Sequence, residues 1–341
     1  MKFGPVPVDA ALGLISAHTI KAGGAILRKG RTIQPETVVG LEAEGVRDLV
    51  AVSLEPGDIG EDEAAETLAR HLAGTGLRSE APFTGRCNLF ANEAGVLVVD
   101  RAGIDAVNGV DEAITAATLA PFKPLVPGEM VATIKIIPYA VPGAALARAC
   151  AAASPGALRV EPYRRRRVGV VSTRLPSLKE TTIDGTLAAL AARLAPAGAE
   201  IVADIRVPHA AGAVADALSA AIARDGADLV VVFGASAIAD RRDVIPAGID
   251  AAGGAVIHFG MPVDPGNLLL LGACRNVPVI GAPGCARSPK ENGFDWVLHR
   301  LLADLPVTRA DIVALGVGGL LMEIVSRPQP RSGEPSAADD A

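Results

Sequence analysis

Aromatic side chains are scarce in this sequence and make up only 3% of its 341 residues. Half of the residues are nevertheless apolar, so the core must consist mainly of Ala, Val, Leu and Ile. Such a core suits helices packed on parallel strands, because strands that are buried on both faces are continuous aliphatic runs. The length exceeds what one ordinary core organises, and we expect two or three domains.

Positive charge is not in excess either, since the formal net charge is -6. This excludes a general nucleic-acid-binding protein, which would be basic. The four cysteines are far apart and form no CxxC pair, which excludes a zinc pattern and a disulfide framework. No basic and then apolar leader opens the sequence, and Pro142, Arg148 and Pro155 interrupt the alanine-rich stretch 140–159. We therefore expect a cytoplasmic protein without a membrane segment.

The pattern of strands and helices divides the chain into four segments. Residues 1–72 form an α/β segment and residues 73–164 a β-rich mixed segment. In residues 165–326, aliphatic strands alternate with helices, which predicts an α/β fold of three layers, with a mostly parallel sheet between helices on both faces. Residues 327–341 are rich in Pro, Ser and Asp, which is typical of a disordered tail.

Several elements can be predicted from hydrophobic periodicity and helix-start signals. The periodicity predicts helices over residues 8–20, 185–197 and 289–302. The run from 267 to 282 predicts a pair of strands joined as a hairpin.

Ligands of open α/β sheets bind outside the carboxyl ends of the strands, so the segments that follow each strand are the candidate site. Ser172 and Thr173 end the first strand of the predicted sheet. The segments 234–244, 261–267 and 281–288 follow three later strands. All are rich in small residues, hydroxyls or charges, and we expect them to converge at one edge of the sheet.

The loop after the third strand is the most informative of these segments. Gly234 and Ala235 allow the backbone to approach a ligand closely, and Ser236 offers a hydroxyl. A helix N-terminus after such a loop is a plausible phosphate site. Asp240 and Asp243 could then act in catalysis and hold Mg²⁺, which prefers carboxylates and phosphate oxygens. The alternative is a solvated loop with surface Asp–Arg pairs, and neither GxxxxGK[ST] nor GxGxxG is present.

The last loop follows the same logic. Pro283 and Gly284 predict a tight turn. Ser288 precedes Pro289, so it could either contact a ligand or serve as the N-cap of the final helix.

Cys285 allows a different hypothesis, that of a cysteine enzyme. A thiol near a helix N-terminus and beside Arg287 and Lys290 could have a lowered pKa and act as a nucleophile. His258 and His299 are candidate bases, although neither spacing is informative.

Two further polar features have structural interpretations. His209 fits a helix start better than a ligand position. The run Arg164–Arg167 could bind anions, but it fits a solvated linker between domains better.

Taken together, the loops resemble a known family. Residues 168–305 resemble the molybdopterin-binding domain shared by molybdopterin adenylyltransferases and molybdopterin molybdotransferases. The resemblance is carried in order by the stretches "VGVVST", "TLAALAARLAPAGAEIVADIRVP", "DLVVVFGASAIADRRDV", "MPVDPGNLLLLG" and "VPVIGAPGCARS". More weakly, the opening "FGPVPVDAALGLISAHTI" resembles the start of the molybdotransferases.

The resemblance implies molybdopterin as ligand or substrate, with Asp240 or Asp243 in place of the loop acid that the family ties to Mg²⁺ or molybdate. The predicted pterin-phosphate contacts are Ser172, Thr173, Gly234, Ala235, Ser236, Pro265, Gly266, Pro283, Gly284, Cys285 and Ser288. The sequence departs from the family pattern at Ala235, Ala239, Asn267 and Cys285–Ala286, and it lacks the Met-Asp-Gly-Tyr-Ala motif of the molybdotransferases.

The resemblance also implies a role in molybdenum cofactor biosynthesis. One hypothesis is adenylyl or molybdenum transfer to the pterin. The alternative is a non-catalytic carrier that delivers the cofactor to a nucleotidyltransferase or to a molybdoenzyme. Proteins of this kind are sometimes fused to such a nucleotidyltransferase, and the family tends to form homo-oligomers.

Overall fold

The computed structural model describes residues 1–22 and 25–321, so the predicted tail 327–341 lies outside the described residues. The chain divides into two compact units, Met1–Tyr163 and Arg164–Ala341. Among the helices of the described residues, none is long and apolar enough to cross a membrane.

The first unit consists of small antiparallel sheets and four helices within the described residues. Its strands are β1 (Lys2–Pro7), β2 (Ile15–Ser16), β3 (Ile20–Ala22), β4 (Ala25–Leu27), β5 (Asp48–Ser53), β6 (Asp58–Gly60), β7 (Leu77–Ser79), β8 (Arg86–Ala91), β9 (Gly95–Val99), β10 (Ile114–Thr118), β11 (Pro124–Leu125), β12 (Met130–Ile136), β13 (Ala140–Pro142) and β14 (Leu158–Pro162). Its helices are α1 (Pro35–Ala43), α2 (Glu61–Leu72), α3 (Arg101–Asn108) and α4 (Gly143–Ala152). The larger sheets have the strand orders β10-β12-β8-β7, β1-β5-β2 and β11-β9-β14.

The helix predicted over residues 8–20 is wrong. This stretch forms one 3₁₀ turn, Val8–Ala10, and the strand β2. Gly13 has a φ of +80°, which ends any helical path, and Ile15 then pairs with Val52 of β5. Pairing across the sheet thus overrides the local helical pattern.

Two hydrophobic cores lie among the described residues of the first unit. A small core includes Val8 and Leu41, and a larger one is built around α2 and β12. Because α2 packs on β8 and β12, it belongs with the residues that follow it in the chain rather than with those that precede it.

The second unit contains one six-stranded sheet. Its strands are β15 (Arg167–Arg174), β16 (Glu200–Pro208), β17 (Leu229–Phe233), β18 (Ala255–Phe259), β19 (Leu270–Cys274) and β20 (Val277–Ala282). Its helices within the described residues are α5 (Glu180–Leu194), α6 (Ala211–Ala223), α7 (Val244–Ala251), α8 (Gly293–Leu302) and α9 (Arg309–Val313).

The sheet of the second unit has the strand order β16-β15-β17-β20-β19-β18. β16, β15, β17 and β20 are parallel, and β19 is antiparallel to both of its neighbours. Every residue of β17 is buried, since helices cover both faces of the sheet. The predicted three-layer α/β fold with a mostly parallel sheet is therefore confirmed. The predicted hairpin is β19–β20, and its turn residues Arg275 and Asn276 both have positive φ.

Two predicted helix starts are wrong. α5 begins at Glu180, five residues before the predicted start. α8 begins at Gly293 and not at Pro289, because Asn292 is its N-cap. The Asn292 Oδ1 accepts from Phe294 N at 3.1 Å, and Asp295 Oδ2 accepts from Asn292 N at 2.8 Å. This capping box satisfies the first N–H groups of the helix, so the predicted capping role of Ser288 is also wrong.

The packing of α7 on α6 depends on a glycine. A Cβ atom at Gly248 would lie 2.6 Å from Cγ1 and 2.7 Å from Cβ of Val214, whereas one at Gly185 in α5 would meet nothing within 4 Å. We expect Gly248→Ala to destabilise the protein by about 1–2 kcal/mol through overpacking. Gly185→Ala, the matched control, should stabilise it by up to about 1 kcal/mol. Urea unfolding followed by the fluorescence of Trp296, the single tryptophan, measures both effects. Equal changes in the two variants would contradict the packing argument.

Candidate functional site

The carboxyl ends of the parallel strands β15, β16, β17 and β20 lie at one edge of the sheet. In an open α/β sheet this edge is where ligands bind. It carries Ser172 and Thr173, then His209, then the loop that starts at Gly234, and finally the segment 283–288. We call this the site edge.

Thr173 joins two of the predicted site segments and one residue that was not predicted. Its Oγ1 accepts a hydrogen bond from Ala235 N at 2.8 Å. The same Oγ1 lies 2.8 Å from Nδ1 of His209, and the Nε2 of His209 lies 3.1 Å from Oγ of Ser236. The end of β15 and the loop after β17 are therefore bound to each other through side chains.

Arg287 connects the last loop to the loop after β17. Its guanidinium donates to Gly234 O at 2.8 Å and to Thr186 Oγ1 at 2.9 Å, and it lies 5.3 Å from the ring centroid of Phe233. Burial lowers the pKa of the Arg287 guanidinium from its ordinary value. Within residues 1–22 and 25–321, no carboxylate lies within 4 Å of this group. The site edge therefore holds a half-buried cation whose charge is not neutralised at close range by any carboxylate of the described residues.

Ser172 provides a second polar group, a buried hydroxyl that lacks a hydrogen-bond partner within the described residues. The residue is only 2% exposed, and in the described part of the chain its Oγ has no hydrogen-bond partner. Because side chains alternate along a strand, Ser172 lies on the face of β15 opposite to Thr173. A buried hydroxyl without a partner costs about 1–3 kcal/mol, which a ligand or water that bonds to it would offset.

Arg193 of α5 stabilises the last loop through hydrogen bonds to its backbone carbonyl groups. This side chain donates to the carbonyl oxygens of Ala286 at 3.1 Å, Lys290 at 3.2 Å and Ser288. It also pairs with Asp295 of α8 at 2.6 Å, and both side chains of this ion pair are about nine-tenths buried. The predicted contact Ser288 thus offers its carbonyl to Arg193, and its Oγ accepts from the backbone N of Lys290 at 3.3 Å.

Cys285 lies in the capping network of α8. Its thiol donates to Asn292 Oδ1 at 3.6 Å, and Asn292 Nδ2 donates to the carbonyl of Cys285 at 3.4 Å. His258 lies in β18, at the far end of the sheet, and His299 lies in the second turn of α8. Burial lowers the pKa of both imidazoles. The nucleophile hypothesis gains no support from these positions and stays a prediction.

Pro265 and Gly266 pack against the start of α8. The carbonyl of Pro265 accepts from Gly293 N at 2.9 Å. Gly266 has a φ of +143°, and a Cβ there would lie 3.0 Å from the Cα of Gly293. These two predicted residues therefore support the N-terminus of α8.

The two predicted carboxylates are both engaged within their own loop. Asp243 is the N-cap of α7, with Oδ1 accepting from Val244 N at 2.8 Å and Oδ2 from Ala239 N at 3.1 Å. Asp240 is exposed, and its Oδ1 lies 2.6 Å from Nε of Arg242. The hydrogen bond from the Arg242 side chain lowers the pKa of the Asp240 carboxyl.

Both acids already have partners within the protein, which a Mg²⁺ ion would have to share or displace. Both oxygens of Asp243 accept backbone N–H groups, and Asp240 is paired with a cation. In the described ranges, no three His, Cys, Asp or Glu side chains are grouped as metal ligands. The proposal that these acids bind Mg²⁺ or act in catalysis stays a prediction.

The run Arg164–Arg167 is bound to Asp228 at the start of β17. The carboxylate of Asp228 accepts from the backbone N of Arg166 at 2.9 Å and of Arg167 at 3.0 Å. Arg165 donates to the Asp228 carbonyl at 2.8 Å. Arg165–Arg167 are therefore fixed at the edge of the sheet opposite to the site edge.

His209 and Arg287 are the site residues that the sequence reasoning missed. His209 follows β16 directly, so the rule that selected the other loops also applies to it. From the sequence, Arg287 is predicted only to lower the pKa of Cys285. Arg287 contacts Gly234, which is distant in the chain, and no local sequence pattern indicates that contact.

Comparison with known proteins identifies the class of the second unit. Residues 168–304 match the sequence model of a family described as "probable molybdopterin binding domain". The match covers less than half of the chain and contains the whole site edge. The resemblance inferred from the loops is therefore confirmed for this segment, which supports a role in molybdenum cofactor biosynthesis.

Two solved structures are similar to the chain at low identity. The MoeA molybdopterin biosynthesis protein of Pyrococcus horikosii shares 16% identity, with a TM-score of 0.31 over 89% of this chain and 75% of that one. The MoaB molybdopterin biosynthesis enzyme of Thermus thermophilus shares 18% identity, with a TM-score of 0.28 over 41% of this chain and 98% of that one. A search of curated proteins found no match.

Asp243 caps α7 and Asp240 does not, so substitutions of the two predicted acids form a matched test of stability. We expect Asp243→Ala to destabilise the second unit by about 1 kcal/mol, because the N-cap of α7 is lost. Asp240→Ala should leave the stability unchanged within error, since its pair with Arg242 is exposed. Urea unfolding monitored at Trp296 distinguishes the two. An equal loss in both variants would contradict the assignment of Asp243 as the cap.

The buried ion pair Arg193–Asp295 should contribute far more to the free energy of unfolding than either loop acid. We expect Arg193→Ala to cost about 3–5 kcal/mol, because Asp295 becomes a buried charge without its partner. Arg224→Ala is the control, since the Arg224 side chain is exposed where it pairs with its neighbour Asp225, and its loss should cost at most about 1 kcal/mol. The same unfolding assay applies, and a similar small effect in both variants would overturn the argument.

Proposed function

We propose that the second unit binds molybdopterin at the site edge through the phosphate of the pterin. The observation that carries this proposal is the half-buried guanidinium of Arg287, which has no carboxylate within 4 Å in the described chain and lies where the loops of a molybdopterin-binding domain meet. Charged groups removed from water are costly unless an opposite charge pairs with them. A phosphate would supply that charge.

A neighbouring hydroxyl supports the same ligand chemistry. Ser236 is exposed and offers a hydroxyl. It is close in the chain to Gly234, whose carbonyl accepts a hydrogen bond from Arg287. Ser172 lies on the opposite face of β15 and is buried, so its predicted contact with the ligand is not part of this argument. Hydrogen bonds from guanidinium and hydroxyl groups to an ionised phosphate are stronger than bonds between neutral groups. The site edge therefore combines one fixed cation with an uncharged donor, which suits a phosphate attached to an uncharged ring system.

Carriage of the cofactor is a second candidate function, and the carboxylates favour it over catalysis. Asp243 caps α7 with both oxygens, and Asp240 is paired with Arg242. Both acids would have to give up these partners before they could bind a metal or move a proton, which supports carriage over catalysis. A protein that holds molybdopterin and passes it to a nucleotidyltransferase or a molybdoenzyme needs the binding groups but not the acids.

Anaerobic calorimetry with molybdopterin tests the binding proposal. We expect binding by the wild-type protein and about 10- to 100-fold weaker binding by Arg287→Gln, because a charge-assisted contact to phosphate is lost. Arg287→Lys should fall between the two, since it keeps the charge but not the planar fork. Arg224→Gln removes an exposed charge near the opposite edge and should bind like wild type.

Unfolding curves at Trp296 show whether each variant is folded. No binding by folded wild-type protein would overturn the proposed function, and an unchanged affinity of folded Arg287→Gln would remove Arg287 from the site. An assay with ATP, molybdate and Mg²⁺ separates the two candidates. Turnover by the wild-type protein that is lost in Asp240→Ala would exclude a carrier without catalysis.

A further inference from the structure

His209 lies between two hydroxyl side chains at the site edge. Its Nδ1 is 2.8 Å from Oγ1 of Thr173, and its Nε2 is 3.1 Å from Oγ of Ser236. Its backbone N donates to the carbonyl of Arg174 at 3.1 Å, which fixes the residue beside β15. We call the three side chains the Thr173–His209–Ser236 relay.

The direction of each hydrogen bond in the relay follows from one backbone group. Ala235 N can only donate, so Thr173 Oγ1 is an acceptor in the bond between them. Thr173 is 0% exposed, and among the described residues His209 is the only other partner of its hydroxyl. An unsatisfied buried O–H would cost about 1–3 kcal/mol, so the Thr173 proton points to Nδ1 of His209.

The tautomer of His209 then follows. A neutral imidazole carries its single N–H on one nitrogen, and the other nitrogen accepts. Since Nδ1 accepts from Thr173, the proton is on Nε2. The Nε2–H donates to Ser236 Oγ, and the proton of Ser236 is directed away from His209.

We propose that His209 is a positioning residue that turns the Ser236 hydroxyl proton toward the ligand. This inference rests on the proposed function for the identity of that ligand. The hydrogen bond from His209 occupies one of the two lone pairs of Ser236 Oγ and leaves its proton free to donate. The relay therefore favours an acceptor at Ser236, and the oxygens of an ionised phosphate are acceptors only.

The same geometry argues against Ser236 as a nucleophile. A serine nucleophile needs a base that takes its proton, as an unprotonated imidazole nitrogen does. Here the nitrogen that faces Ser236 already carries a proton. Ser236 accordingly binds the phosphate and does not form a covalent bond to it.

Nitrogen-15 NMR of the histidine rings tests the tautomer in the full chain without any ligand. At about pH 8 most imidazoles are neutral. Long-range proton–nitrogen correlations should show the His209 proton on Nε2, and the spectrum of His209→Gln assigns the signal among the five histidines. A proton on Nδ1 would overturn the inference, whether or not the protein binds molybdopterin.

Two amide substitutions test the positioning role. The amide nitrogen of Gln can replace Nε2 as the donor to Ser236, whereas Asn reaches only the position of Nδ1. We expect His209→Gln to bind molybdopterin within about threefold of wild type. Ser236→Ala should bind about 10- to 100-fold more weakly, because a hydrogen bond to a charged phosphate is lost. His209→Asn should bind about five- to tenfold more weakly, because Ser236 remains but its proton is no longer turned toward the ligand.

Equal losses in His209→Gln and His209→Asn would show that His209 does not act through Ser236. If folded wild-type protein does not bind molybdopterin, the proposed function fails, and the NMR result alone decides the relay. The two failures are therefore distinguishable.

Discussion

The geometry of the site edge depends on one buried ion pair, that of Arg193 and Asp295. The segment 286–290 has no regular structure over most of its length, so its carbonyl groups need donors from elsewhere. Arg193 supplies them, because a guanidinium has five N–H groups in a fixed plane. Asp295 likewise has two partners. Its Oδ1 accepts from Arg193 Nε, and its Oδ2 accepts from the backbone N of Asn292. α5, the last loop and α8 are thereby joined into one hydrogen-bonded body.

That body determines where Arg287 lies. Arg287 ends the 3₁₀ turn of the last loop, and its side chain extends to Gly234 and stacks on Phe233. Gly234 in turn precedes Ala235, whose N–H is bound to Thr173. The groups proposed to meet the phosphate are thus fixed by the folded chain before any ligand arrives. Ordering them adds little to the free-energy cost of binding, which is the advantage of preorganisation.

The parts of this arrangement differ in how far the sequence predicts them. The aliphatic run Leu229–Phe233 predicts a strand buried on both faces, and the rule for parallel sheets then predicts which loops converge. The start of α8 could not be predicted, because Ser288 and Asn292 are both good N-caps by residue type. Asp295 and the distant Arg193 decide in favour of Asn292. The contact of His209 with Thr173 spans 36 residues and has no local signal.

The departures from the family pattern can be understood from the loop itself. A Cβ at Gly234 would lie 2.5 Å from Ser236 O, so this glycine cannot be replaced without moving the backbone. Ala235 contributes its N–H to Thr173 and, within the described residues, is not among those with positive φ, so an alanine serves as well as a glycine there. Asp243 meanwhile caps α7, and Asp240 is paired with Arg242 at the surface. The sequence has thus kept the backbone shape that brings donors to the site edge, while the carboxylates are held by partners of their own.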